Sequence, residues 1–196
     1  RVTVRKAIQS LAEDGTIVQK QGSGSFVASD TPQFEQSLSR LTSFSEDMAR
    51  RGMTSTSVWL ERGVYMPSPD EVIALALTPD ASVSRIARLR TADNKPMAIE
   101  RASLSTEMLP NPLEVETSLY AVLEQSGLRP YRALQKISAI NLEESDATLL
   151  DVAIGQAGLR IERMSYLRDG RVVEFTQSIY RGDAYNFVAE LRLAKE

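Results

Sequence analysis

The sequence predicts an α+β fold built on a six-stranded, mainly antiparallel sheet with flanking short helices. Two observations carry this. Six segments read as strands, residues 55–65, 82–91, 97–105, 134–142, 159–167 and 172–180, and the turn chemistry of Asp93-Asn94-Lys95-Pro96 and Arg168-Asp169-Gly170-Arg171 joins two pairs of them as antiparallel hairpins. Short helical stretches at 69–77, 118–125 and 143–150 intervene, the last two opening with helix-start chemistry, but they do not alternate with strands as a doubly wound sheet requires.

Composition narrows the chemistry. At 196 residues and 42% hydrophobic the chain is large enough to bury a core. It contains no cysteine, which excludes disulfides, thiol nucleophiles and zinc-thiolate sites. It contains no histidine either, which removes the commonest general base and the commonest transition-metal ligand. No apolar run approaches the ~20 residues of a membrane span, so a cytoplasmic protein without membrane contact is expected. No glycine-rich phosphate loop of the Walker or Rossmann type occurs, and no cofactor is implied.

The net charge of −3 is unevenly spread. Arg1, Arg5, Lys6 and Lys20 outnumber Glu13 and Asp14 in the first segment, so the acidic excess lies downstream. Val4, Ala7, Ile8 and Leu11 follow the spacing of one buried helix stripe. Arg1, Arg5 and Gln9 form a row on the other side, flanked by Thr3 and Lys6, which gives a basic, hydrogen-bonding face suited to a major groove. Gly15 ends the helix, and residues 16–20 and 25–27 read as strands around the turn Gln21-Gly22-Ser23-Gly24.

The run RVTVRKAIQSLAEDGTIVQKQGSGSFVA resembles the recognition helix and wing of the GntR-type winged helix-turn-helix. The resemblance implies that Arg1, Thr3, Arg5 and Lys6 meet bases and phosphates of operator DNA, and that Gly22 and Gly24 let the wing tip approach the minor groove. It also implies that two preceding helices of the domain are absent from this sequence. The apolar stripe is then expected to lack most of its packing and the segment to be loose. Residues 1–29 are thus expected to be the C-terminal part of a DNA-binding domain, 30–40 a linker of Pro, Ser, Gln and Asp composition, and 41–196 a second domain.

That second domain opens with LTSFSEDMARRGM, where Ser43 or Ser45 can cap a short helix that Gly52 closes. Alternation then places Arg88 and Arg90 on one strand face, an arrangement that wants an anion. It places Glu174, Thr176, Ser178 and Tyr180 together opposite Val173, Phe175 and Ile179, as a face able to line a polar pocket. Glu100 shares its face with Ala98, Ala102 and Leu104, so its carboxylate needs a partner, which Arg88 or Arg90 could supply. Surface cross-strand ion pairs would produce the same pattern.

The pieces LTSFSEDM, RIARLRTAD, PMAIERASL, SLYAVLEQSG and EFTQSIYRGDAYNF resemble, in order, the UTRA effector-binding domain of the HutC subfamily of GntR-type regulators. The resemblance implies a chorismate-lyase-like fold and effector contacts at Thr42, Ser43, Phe44, Arg88, Arg90, Glu100, Ser118, Tyr120, Glu174 and Tyr180. Ser118 and Tyr120 read equally well as a helix cap and a core tyrosine. The implied protein is a homodimeric repressor on a palindromic operator, controlled by a small anionic effector such as a phosphorylated sugar, with no catalysis. The competing readings are an enzyme on the chorismate-lyase-like fold and a sensing domain that serves only as an interaction module.

Overall fold

The computed structural model describes residues 2–13, 17–20, 24–27, 34–37, 40–78 and 80–190, and the chain divides into two compact units, Arg1–Phe34 and Glu35–Glu196. In the first unit α1 (Val2–Glu13) precedes the strands β1 (Ile17–Lys20) and β2 (Gly24–Val27), which pair antiparallel from Ile17 opposite Val27 to Lys20 opposite Gly24. Of the α1 stripe, Ile8 is half-buried, whereas Val4 and Leu11 are exposed at 63% and 42%. Lys6 is exposed and Gly24 opens β2. Arg1 and Gly22 lie outside the described residues, as do the side chains of Thr3 and Arg5.

β3 (Phe34–Ser37) falls inside the stretch read as linker and pairs with β10 (Tyr185–Val188), two short strands that the sequence reading did not find. Between them the chain forms α2 (Phe44–Arg50), β4 (Ser55–Tyr65), α3 (Pro69–Leu75), β5 (Val83–Ala92), β6 (Lys95–Ser105), a 3-10 turn at Pro112–Glu114, α4 (Leu119–Gln125), β7 (Arg132–Asn141), α5 (Glu144–Leu150), β8 (Ala157–Tyr166) and β9 (Val172–Arg181). The main sheet has the order β4-β5-β6-β9-β8-β7, with every neighbouring pair antiparallel. It is two three-stranded meanders joined where β6 meets β9, so the centre of the sheet pairs strands far apart in sequence.

Local chemistry explains the joints. Asp93 and Asn94 both take positive φ, 46° and 65°, as a two-residue primed turn between β5 and β6 demands. Gly52, at φ 72°, ends α2. Glu143 sits at the N-cap of α5 without a side-chain cap bond, whereas Ser68 and Glu71 form a complete capping box on α3.

The sheet buries both faces. On one, Leu119, Tyr120 and Leu123 of α4 pack on Ile86, Ala102 and Leu104. On the other, Ala147 and Leu150 of α5 pack on Ile99 and Ile179. Val173 departs from the expected alternation: a register shift between Ser165 and Tyr166 leaves it as the extra residue of a bulge, and it joins the α4 cluster while Ile179 faces α5.

Glu71 fastens α3 to the α5 side of the sheet. Its carboxylate accepts from Arg85 Nε at 2.7 Å, Arg85 Nη2 at 2.6 Å, Ser103 Oγ at 2.6 Å and its own cap, Ser68 N, at 2.6 Å. Burial pushes this carboxyl upward, but those donors outweigh it and hold it at about 2, against an ordinary 4.5. Because the folded value is depressed, the stabilisation is full above about pH 4.5 and is lost as pH falls towards 2. Glu71→Gln is therefore expected to cost about 2–3 kcal/mol at neutral pH. In urea denaturation at a series of pH values, its deficit against the parent chain should shrink steadily below pH 4.5; a deficit independent of pH would remove the charge from this account.

Candidate functional site

On the α4 face of the sheet, β5 turns Arg88 and Arg90 the same way, and both are buried to 2% exposure. The register sets Arg88 directly opposite Glu100 on β6. Arg88 Nη2 donates to Glu100 Oε1 in an ion pair, and Arg88 Nη1 donates to the Thr117 carbonyl at 3.1 Å. Burial pushes the Glu100 carboxyl up, yet Arg88 and then Arg90 hold it below its ordinary value. Glu100 thus has the partner its apolar face requires.

Arg90 is different. Its Nη2 donates to Ser45 Oγ at 2.6 Å and its Nη1 to the Thr117 carbonyl at 3.3 Å, while the guanidinium lies 4.7 Å from the Phe44 ring centre. Among the described residues it makes no ion pair. Burial pulls its pKa below the ordinary value, with Glu100 opposing that and Arg88 adding to it. A buried guanidinium whose hydrogen bonds go only to neutral groups, with the nearby Glu100 carboxylate already paired to Arg88, is an incompletely compensated charge.

The opposite wall comes from β9 and β8. Glu174 is buried, and its Oε2 accepts from Ser165 Oγ at 2.9 Å and Tyr120 OH at 3.1 Å, while Oε1 takes no hydrogen bond among the described residues. Burial and the Glu174 charge push the Tyr120 hydroxyl up, so it stays protonated as a donor. Tyr180, buried beside Tyr185 with ring centres 4.5 Å apart, is pushed up to about 12, chiefly by burial.

The α2 segment closes the ring of residues. Thr42 Oγ1 donates to Asp47 Oδ1 at 2.9 Å, and Phe44 is buried. Ser43 caps α2: its Oγ accepts from Glu46 N at 3.2 Å and its N donates to Glu46 Oε2 at 3.1 Å. This limits what the start of α2 can offer a guest through its backbone amides. The capping box has already paired two of them, and what Ser43 retains for a guest is its own hydroxyl hydrogen. Ser118 caps α4 by accepting from Ala121 N at 3.3 Å, and Tyr120 is a core residue, so both their structural roles and their place in the wall hold at once.

All ten residues of the expected effector set, Thr42, Ser43, Phe44, Arg88, Arg90, Glu100, Ser118, Tyr120, Glu174 and Tyr180, line one cavity. Ser45, Leu119, Ile161, Arg163, Thr176 and Ser178 complete it. The free space is about 30 Å³, enough for water but narrow. Arg88 Nε, Arg90 Nε and Thr176 Oγ1 are buried without a hydrogen-bond partner among the described residues. A wider cleft of about 590 Å³ runs past Leu75, Met108 and Val172, but its charged groups Asp80, Glu107 and Arg171 are exposed and lack this convergence. No group of acidic side chains among the described residues is placed to hold a metal ion.

The UTRA domain family matches residues 50–186. The chain is 34% identical over 191 residues to the HTH-type transcriptional repressor NagR of Bacillus subtilis, covering 96% of this chain and 78% of that protein. It belongs to the GntR-type transcription regulators that carry a UTRA domain. Their solved structures agree. PhnF of Mycobacterium smegmatis superposes with a TM-score of 0.78 at 25% identity over 98% of this chain and 85% of that one. A GntR-family regulator of Enterococcus faecalis superposes with a TM-score of 0.62 at 30% identity over 71% of this chain and 100% of that one. The UTRA match takes in the cavity's sheet wall and α4, whereas Thr42 to Ser45 precede it.

The two arginines should respond oppositely to the same substitution. Arg88→Met strands the Glu100 carboxylate and is expected to cost about 3 kcal/mol, whereas Arg90→Met removes a charge without a carboxylate partner and should leave stability within about 1 kcal/mol of the parent or raise it. Thermal and urea melts of the two variants check this. Equal losses would mean that Arg90 is compensated after all.

Proposed function

We propose that this UTRA regulator is a ligand-responsive repressor that binds a palindromic operator as a homodimer in the cytoplasm, and that its effector is a small phosphorylated sugar or amino sugar held in the cavity between β5, β9 and α2. The observation that supports this best is Arg90, a buried cation with neutral partners only, beside a second arginine and a ring of hydroxyls. Charge of this kind is costly unless an anion arrives to meet it. Glu174 Oε1, Thr176 and Ser178 offer the acceptors and hydroxyls that sugar oxygens need at the same surface. The groups are suited to binding rather than to catalysis: with no histidine in the chain and both cavity carboxylates held by donors, no side chain is poised as a general base.

With free space of about 30 Å³ the cavity is narrow, and a hexose phosphate enters it in this scheme as Ser43 to Ser45 move aside. Residues 35–43 join the wing-bearing unit to α2, with β3 paired to β10 on the way, and in this scheme a guest that displaces Ser43 to Ser45 acts on the segment that leads to the DNA-binding unit. Arg1, Thr3, Arg5, Lys6, Gly22 and Gly24 are the residues assigned to DNA in this scheme.

In thermal-shift measurements with hexose and hexosamine 6-phosphates, binding should stabilise the chain by RT ln(1 + [L]/Kd), about 2.7 kcal/mol at a hundredfold excess over Kd. Arg90→Met should abolish the shift without altering dimerisation in sedimentation. A shift produced by carboxylate metabolites alone would replace the effector class, and a shift that survives Arg90→Met would displace the site. In the full-length regulator, Arg5→Ala should cost about 1–3 kcal/mol on operator DNA and relax base preference; an equal loss on random DNA would reduce Arg5 to a phosphate contact.

A further inference from the structure

The cavity holds a third arginine that neither the paired strand positions nor the family resemblance pointed to. Arg163 of β8 lines the wall, half-buried, and its Nε donates to Gln135 Oε1 on β7 at 2.8 Å. It makes no ion pair among the described residues. It shares the cavity wall with Tyr120, Tyr180 and Glu174, all of which act on its guanidinium. Burial works to lower its pKa, but those three groups raise it overall, so it is a fixed cation.

Its place in the register separates it from the other two. Arg90 lies across from Ala98, Tyr180 and Leu159, and Arg163 lies across from Thr176, Ala102 and Ile86. The two arginines are therefore three strands apart, roughly 14 Å, and four residues apart along the strands, roughly 13 Å. No single oxyanion is shared between them from such anchor points, and each faces a different part of a guest. Beside Arg163, both donors of the inner wall, Tyr120 OH and Ser165 Oγ, are spent on Glu174 Oε2, which leaves Oε1 as an acceptor. A cationic donor next to an open carboxylate oxygen matches a group that accepts and donates at once, which is what a hydroxyl does.

We propose that Arg163 is a specificity-determining residue of the cavity: paired with Glu174 Oε1, it selects ligands that carry a hydroxyl-bearing body beyond the anionic group bound at Arg90. This rests on the effector reading above and adds to it the point at which the uncharged end of the ligand is read. Gln135 positions Arg163 from outside the cavity wall, so it belongs to the same device.

The test is a ratio. Calorimetric titration of the chain gives the affinity for the tightest-binding hexose or hexosamine 6-phosphate, divided by that for inorganic phosphate. Loss of cavity charge weakens both alike and cancels, whereas loss of a hydroxyl contact does not. Arg163→Met should lower the ratio about 10- to 100-fold, the range set by one hydrogen bond to a charged group, with phosphate binding retained. A ratio unchanged in a folded Arg163→Met protein overturns the assignment of Arg163 and leaves the effector site standing. If the parent chain binds neither phosphate nor any sugar phosphate, the effector reading falls and this inference with it. Should Arg163→Met fail to fold, Gln135→Leu, which removes only the anchor, should lower the ratio in the same direction, and an unchanged ratio there is equally decisive against the proposal.

Discussion

Taking a guanidinium out of water costs several kcal/mol unless charge and hydrogen bonds replace its hydration, and the middle of this sheet takes out two on alternate residues of one strand. For Arg88 the antiparallel register of β5 and β6 supplies the replacement by placing Glu100 directly opposite. A slip of one residue would send Arg88 and Glu100 to different faces, so the ion pair and the register depend on each other. That register is set by the turn at Asp93 and Asn94, where both central residues adopt positive φ, together with a bulge that skips Met97, without which Arg88 would stand opposite Ile99. Arg90 gains from the same strand but has no carboxylate opposite, since its partner in register is Ala98. The sheet is therefore stable around a site that it does not itself complete.

The two faces of the central strands make the contrast instructive. On the α5 side, Glu71 is saturated by Arg85, Ser103 and the cap of its own helix, a closed network that holds α3 in place. On the α4 side, Arg88 Nε, Arg90 Nε and Thr176 Oγ1 are left without partners among the described residues. Native interiors satisfy nearly all buried polar groups, so satisfied clusters read as structure and a concentration of unsatisfied ones reads as a place for something else. Both faces are built from the same strands.

Much of this was legible because strands announce themselves by period. Residues 55–65 and 172–180 stood out by alternation and flanking turns, and β4 and β9 begin where the sequence places them. β3 and β10, with four residues each, are too short for a period to emerge, and β3 lies in a stretch whose polar composition resembles a linker. Alternation also failed at Val173, because a bulge inserts one residue and reverses the side-chain direction locally. Arg163 was missed for a different reason: Arg160 and Glu162 beside it make the segment look like a charged surface strand. Its parity with Leu159, Ile161 and Leu167 was the available signal, the same argument that singled out Glu100. Which of the two arginines pairs with Glu100, and the lack of a carboxylate opposite Arg90, depend on cross-strand register and were beyond any reading of single strands.

The small free volume of the cavity constrains how such a site can be used. Three of its walls resist movement: β5 and β9 are held by ladders on both sides, and α4 is anchored by Leu119, Tyr120 and Leu123 in the core. The fourth is α2, seven residues long, whose links to the rest of its unit include the buried Phe44 and Met48, the Ser45 bond to Arg90, and a Glu46 to Arg129 ion pair in which both side chains are about a third exposed. An exposed pair of that kind contributes at most about 1 kcal/mol. In the proposed scheme an anion that takes Arg90 from Ser45 removes one of the ties that hold α2. Binding and loosening of α2 are coupled in that scheme, because the group proposed to attract the anion is one of the groups that hold the helix.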